Sequence, residues 1–137
     1  MRRDCAVAYK DVNRQPEGDE EGFKTLEKLT DMIEYAYPIL AQYPKSEKFT
    51  LVADIKHIML DALRICVKVG KKKSRKTALY DLDVELATLK RFIRISFNLH
   101  FLSMHHYKVW SEKVAEIGKM VGGMIRAENQ NPQNHRE

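Results

Sequence analysis

The chain contains few of the residues that build disulfide-bonded or metal-held domains. Only two cysteines occur in 137 residues, Cys5 and Cys66, and neither belongs to a paired zinc-binding spacing. Cys66 falls among helical apolar positions and Cys5 in a polar segment, so we expect both thiols to be reduced. A domain of this length can bury a core without such bonds. The cysteine usage therefore favours a reducing compartment, and we expect a cytoplasmic protein.

Long apolar runs are also missing. No stretch approaches the roughly 20 apolar residues that cross a bilayer, and the basic residues Arg2 and Arg3 are not followed by an apolar block. We therefore expect neither a membrane span nor a signal peptide. Hydrophobic residues make up 44% of the chain and charged residues 31%, which is ordinary for one soluble globular domain.

Catalytic and metal-binding signatures are scarce. The sequence has no glycine-rich phosphate loop, no His-Glu-x-x-His motif and no Gly-x-Ser-x-Gly nucleophile motif. His105 and His106 are adjacent, so on a helix their side chains diverge by roughly 100°. Asp81, Asp83 and Glu85 alternate by two and do not share one helix face. We therefore expect no metal site, no cofactor and no enzymatic activity.

Four apolar stripes with alternating spacings of three and four residues predict four helices. The first spans about 23–43, the second ends near 69, the third begins at 74–77 and ends near 101, and the fourth spans about 103–127. Their similar lengths and short connections predict an all-α, antiparallel up-down four-helix bundle over 23–127. The stripes are Leu26, Leu29, Ile33, Ala36, Leu40 and Tyr43; Leu51, Ile55, Ile58, Ala62, Ile65 and Val69; Leu79, Leu82, Leu86, Leu89, Ile93 and Ser96; and Tyr107, Trp110, Val114, Ile117, Val121 and Met124.

Prolines and glycines mark the expected interruptions. Pro38 lies inside the first helix and predicts a kink or an early end, whereas Gly70 is suited to cap the second helix. Gly118, Gly122 and Gly123 interrupt the fourth helix, where each glycine costs about 1 kcal/mol relative to alanine. We therefore expect another helix backbone or a bulky ring to press close to these glycines.

Both ends of the chain are polar. Residues 1–22 include the acidic segment PEGDEEG and have too few spaced apolar positions to pack. We expect 1–22 to form a disordered or loosely docked tail and 128–137 to form a disordered tail.

Positive charge is concentrated between residues 44 and 76. This stretch has ten lysines and arginines against three acids, a net charge of +7, whereas the whole chain carries +5, so the rest sums to −2. Such a distribution predicts a partner rich in phosphate or carboxylate, the alternative being a merely solvated loop. Because most aromatic residues fall on the packing stripes, phosphate contacts are favoured over base stacking. The candidate nucleic-acid or partner contacts are Arg64, Lys68, Lys71, Lys72, Lys73, Arg75, Lys76, Lys90, Arg91 and Arg94.

Apolar surface beyond the four stripes predicts assembly. The second half of the third helix carries an additional stripe of Phe92, Ile95, Leu99 and Leu102, the second helix has a wide stripe, and the fourth has its glycine face. A lone bundle needs one stripe per helix, and surplus apolar surface usually marks an interface.

One enzyme-like pattern remains as an alternative. Arg94 and His100 have an Arg-x5-His spacing, which resembles the loose motif of helical HEPN-type ribonucleases. In such a pair the histidine moves the proton of a ribose hydroxyl while the arginine holds phosphate. Those ribonucleases usually have a polar residue after the arginine, where this chain has Ile95.

Four segments carry a further resemblance. Residues 43–51, YPKSEKFTL, resemble FPKSEKYTL; 86–94, LATLKRFIR, resemble L-x-x-L-R-x-x-I-R; and 116–125, EIGKMVGGMI, resemble EIGRMLGGWI. These motifs belong to the four-helix bundle superfamily that includes the accessory variability determinant (Avd) of diversity-generating retroelements. The superfamily also includes proteins encoded in intervening sequences of bacterial 23S ribosomal RNA genes. Residues 102–107, LSMHHY, are closer to the Avd branch.

The resemblance implies a function without catalysis. It implies a homopentameric, barrel-like assembly with a basic surface that binds a reverse transcriptase and nucleic acid and supports mutagenic copying of template RNA into cDNA. A 23S intervening-sequence bundle of unassigned role is the alternative within the superfamily. Met124 stands where the family often has tryptophan.

Overall fold

The structure, a computed structural model, describes residues 20–71 and 73–130, and within these ranges it contains four α-helices and no strand. The helices are α1 (Glu20–Leu40), α2 (Leu51–Val69), α3 (Arg75–Asn98) and α4 (Met104–Gln130), with a short 3₁₀ helix at Lys45–Glu47. Helices α1 and α3 each pack against both α2 and α4. The predicted all-α four-helix bundle is confirmed. None of these helices combines the length and hydropathy needed to cross a bilayer.

Most of the two predicted tails lies outside the described residues. Residues 20–22 belong to α1 and residues 128–130 to α4, so both outer helices extend slightly beyond the predicted limits of 23 and 127. The division of the chain into a bundle and two tails stays a prediction.

Most residues of the predicted apolar stripes form the core, with Leu26 and Tyr107 partly buried against it, and α2 differs in detail. The single tryptophan, Trp110, is fully buried, and its Nε1 donates to Sδ of Met32 at 3.3 Å. On α2 the buried positions are Val52, Ile55, Met59, Ala62, Cys66 and Val69, whereas Leu51, Ile58 and Ile65 are only partly buried. Because α2 packs against both α1 and α3, the direction between those neighbours selects the buried residues from within its wide stripe.

The additional stripe of α3 is only partly surplus. Leu102 is buried and Phe92 packs against the core, while Ile95 and Leu99 are exposed. The sequence pattern therefore overestimated this surface by two residues, because Phe92 packs against the core from within α3 and Leu102 is buried beyond the turn that follows the helix.

Helix α1 ends at Leu40, two residues after Pro38, in agreement with an early end. The chain then forms the 3₁₀ helix before α2 begins at Leu51. Buried Tyr43, which follows α1, packs against Phe101, which follows α3, with ring centroids 5.6 Å apart. The α1–α2 and α3–α4 connections therefore lie at the same end of the bundle.

Helix α3 ends at Asn98 through a left-handed residue, His100, with φ 64°. The Phe101 amide donates to the Ser96 carbonyl at 2.9 Å and the His100 amide to the Phe97 carbonyl at 3.0 Å. This pair of hydrogen bonds is the Schellman arrangement, which satisfies carbonyls that the helix end leaves open. His100 therefore has a structural role in ending the helix.

The glycines of α4 have no crowding neighbour within the described chain. A Cβ built on Gly118 would meet no atom within 4 Å, and at Gly122 and Gly123 the nearest atoms belong to the Arg126 guanidinium, at 3.6 Å and 3.9 Å. The prediction of a backbone or ring pressing on these glycines is wrong for a single copy of this bundle. Gly70, in contrast, is the C-cap of α2, with a right-handed conformation.

Candidate nucleic-acid interface

The predicted basic residues form two groups, one around the start of α3 and one on its second half. Lys76 and Lys90 are 14 positions apart on this helix, which corresponds to about 21 Å along its axis. The group near the α2–α3 connection comprises Arg64, Lys68, Lys71, Lys73, Arg75 and Lys76. The group on the second half of α3 comprises Lys90, Arg91 and Arg94. Lys72 lies outside the described residues.

Four lysines make up what we term the basic pole: Lys68, Lys71, Lys73 and Lys76. Lys68, Lys71 and Lys73 are exposed, Lys76 is half-buried, and none of the four makes an ion pair in the described part of the chain. Lysines without acid partners contribute their full charge to the local field. The basic pole is therefore available to a polyanion.

Three of these lysines line an open depression of about 360 Å³ where α2 ends and α3 begins. Its lining residues are Ile65, Lys68, Lys71, Lys73, Ser74, Thr77, Ala78 and Asp81. The chain turns here through Ser74, which has a left-handed conformation with φ 60°. The ammonium and hydroxyl groups around this concave surface suit contacts to phosphate oxygens, and three ammonium groups outnumber the single carboxylate, Asp81, in its lining.

Arg75 has a different environment from the four lysines. Its Nε lies 2.9 Å from Oε1 of Glu128, and its Nη1 donates to the Val69 carbonyl at 2.7 Å. The side chains of Arg75 and Glu128 are only 21% and 13% exposed. The guanidinium is therefore committed to contacts within the bundle.

Arg64 is also paired, in an acidic neighbourhood. Its Nη1 lies 2.6 Å from Oδ1 of Asp61, and Asp61 also lies 3.6 Å from the His57 imidazole. Burial raises the pKa of Glu85, the Asp61 and Asp81 carboxylates raise it further, and His57 opposes them. The Asp61 carboxylate thus offsets the charge of Arg64.

The group on the second half of α3 is exposed, and one member is held by aromatic rings. Arg94 donates through Nη1 to the Tyr107 hydroxyl at 2.9 Å and lies 5.7 Å from the centre of that ring. Tyr107 in turn stacks on Phe97, with centroids 4.4 Å apart. Lys90 and Arg91 make no ion pair within 20–71 and 73–130.

The proposed ribonuclease pair is not joined in the structure. Arg94 contacts Tyr107, His100 occupies the left-handed turn after α3, and no hydrogen bond connects the two among the described residues. The same ranges contain no group of three or more histidine, cysteine, aspartate or glutamate side chains placed to hold a metal ion.

Sequence reasoning missed the side chains that partner the arginines. Glu128 is 53 positions from Arg75 and Tyr107 is 13 positions from Arg94. A usable signal was present, since the antiparallel arrangement predicted for α3 and α4 would bring the start of one helix beside the end of the other. The apolar pattern, however, predicts an end of the fourth helix at about 127, one residue before Glu128.

Comparison with known proteins identifies one family. A family model described as bAvd-like matches residues 24–128, which include all ten candidate basic residues and nearly the whole bundle. The comparison with curated proteins finds no match.

Proposed function

The chain belongs to the bAvd-like family, and from that membership we propose that it is a non-catalytic accessory protein of a diversity-generating retroelement. In this proposal it acts in the cytoplasm, binds the reverse transcriptase of the element together with template RNA or cDNA, and supports mutagenic reverse transcription. Its contribution is to hold the polyanion near the polymerase.

The availability of the basic pole is the observation that carries the nucleic-acid part of this proposal. Lys68, Lys71 and Lys73 are exposed around one depression and have no acid partner in the described chain. Phosphate contacts from such lysines are largely independent of sequence, which suits an accessory that meets a long template. Lys90, Arg91 and Arg94 provide a second contact region along α3.

We also propose that the helices run alternately up and down and that the bundles assemble into a homopentameric ring. The contacts of α3 with α4 support the first point, since Arg75 meets Glu128 at one end and Arg94 meets Tyr107 at the other. Exposed apolar residues along one side of α3 and at its C-cap support the second point, because their spacing places them away from the buried face. These residues are Tyr80, Val84, Ile95 and Leu99.

The test is a charge reversal at the basic pole. One variant combines Lys68→Glu, Lys71→Glu and Lys73→Glu. A control variant carries Lys108→Glu and Lys119→Glu, which change two exposed lysines of α4. We expect the pole variant to lose single-stranded RNA binding and association with the reverse transcriptase, and the control to retain most of both. Unchanged RNA binding and polymerase association in the pole variant at low salt would show that these lysines are merely solvated.

A further inference from the structure

The Arg75 side chain joins the ends of three helices. Arg75 is the first residue of α3, its Nη1 donates to the carbonyl of Val69, the last residue of α2, and its Nε bonds to Glu128 near the end of α4. Its Nη2 also lies 3.9 Å from Sδ of Met124 on α4. A single guanidinium therefore contacts both ends of the connection that carries Lys71 and Lys73.

The environment makes this contact stronger than an ordinary surface ion pair. The Arg75 and Glu128 side chains are mostly buried, so the pair is less screened by water and salt than an exposed pair. Hydrogen bonds between charged groups are also stronger than neutral ones. A neighbouring contact holds the same part of α4, since Asn129 Nδ2 donates to the Tyr80 hydroxyl at 3.2 Å.

We propose that Arg75 and Glu128 are positioning residues for the basic pole, and that Arg75 does not itself contact phosphate. The pair holds the connection between α2 and α3 so that Lys71 and Lys73 stay around one depression before the nucleic acid arrives. A loop that is ordered in advance loses less conformational entropy on binding. This inference rests on the proposed function, because the consequence it predicts is an effect on nucleic-acid affinity.

A substitution at Glu128 distinguishes the two roles that Arg75 could have, which are contacting phosphate and positioning the lysines. Glu128→Gln removes a negative charge, so simple electrostatics predicts tighter binding of a polyanion. If Arg75 were a phosphate contact, replacing its charged partner by a neutral acceptor would weaken its hold on Arg75 and strengthen phosphate binding as well. If the pair positions the lysines, the same substitution weakens binding although the protein has become more positive.

The experiment compares Glu128→Gln with Glu112→Gln, a matched change at an exposed position of the same helix. Binding of a labelled single-stranded RNA is measured, together with hydrogen exchange of the Lys71 amide, which donates to the Lys68 carbonyl at 3.0 Å. We expect Glu128→Gln to weaken RNA binding by about 3- to 10-fold and to accelerate exchange at Lys71, while Glu112→Gln does neither. RNA binding by Glu128→Gln that equals or exceeds that of the wild type would overturn the proposal.

A charge-swapped variant and the wild type provide the remaining controls. Arg75→Glu combined with Glu128→Arg is compared with Arg75→Glu combined with Glu112→Arg, which has the same net charge. If the pair acts by position, RNA affinity recovers more in the first variant than in the second, and equal affinities count against the proposal. This comparison also tests the positioning role if Glu128→Gln does not fold.

If the wild type does not bind RNA at all, the proposed function fails. Exchange at Lys71 then tests the positioning role alone, and equal rates in the two glutamine variants would refute it.

Discussion

Replacing Lys71 and Lys73 together by alanine tests whether the basic pole contacts phosphate directly. Both lysines are exposed and have no acid partner in the described part of the chain, so their removal leaves no unpaired buried carboxylate. They lie outside the hydrophobic core. The double substitution should therefore leave the free energy of unfolding almost unchanged and act on nucleic-acid binding.

The expected magnitude follows from counterion release. Each lysine that neutralises a phosphate of single-stranded nucleic acid contributes about 0.7 to the slope of log affinity against log salt concentration. Losing two such contacts lowers the slope by about 1.4. Over a fourfold increase in salt from about 50 to 200 mM, the affinity of the wild type should therefore fall about 7-fold more than that of the variant.

Fluorescence anisotropy of a labelled single-stranded RNA, titrated at several salt concentrations, measures this slope. The control is Lys108→Ala with Lys119→Ala, which removes the same charge from exposed positions on α4. We expect the control to keep the slope of the wild type. Equal slopes for the wild type and the Lys71 and Lys73 variant would refute the reasoning, because the two lysines would then release no counterions on binding.

Three further predictions concern single residues. Burial, partly opposed by the Ser96 hydroxyl, raises the pKa of Tyr43 to about 12, and no well-formed hydrogen bond reaches its hydroxyl in the described residues. The folded state keeps this proton above pH 10 whereas the unfolded chain loses it, so the free energy of unfolding falls between about pH 10 and 12. Tyr43→Phe should raise the free energy of unfolding by about 1 kcal/mol at pH 7 and by about 1 kcal/mol more at pH 11, measured by chemical unfolding. Gly118→Ala should raise the free energy of unfolding by about 1 kcal/mol, because a Cβ at this position would meet open space. If the native assembly of this variant instead has a smaller mass than that of the wild type, Gly118 lies at an interface between copies. His100→Gly, at φ 64°, should raise the melting temperature by relieving about 1 kcal/mol of strain, while loss of an RNA-cleaving activity seen in the wild type would support the ribonuclease alternative.

The sequence was a good guide to the helices and a poor guide to the partners of the charged residues. Apolar residues at spacings of three and four predicted all four helices, because only one face of each helix can reach the core. The same pattern could not choose between Leu51 and Val52 as the core residue of α2, since both belong to a stripe wide enough to meet two neighbours. That choice depends on where α1 and α3 lie.

The basic surface likewise depends partly on the sequence alone and partly on how the helices pack. The sequence by itself determined that positive charge is concentrated between residues 44 and 76, because charge is a property of each residue alone. Only the tertiary structure decided which of these charges remain available, by placing Glu128 against Arg75 while leaving Lys71 and Lys73 without acid partners in the described chain. The physical reason is that Coulomb interactions depend on distance and burial, and residues 53 positions apart become neighbours only when the helices pack.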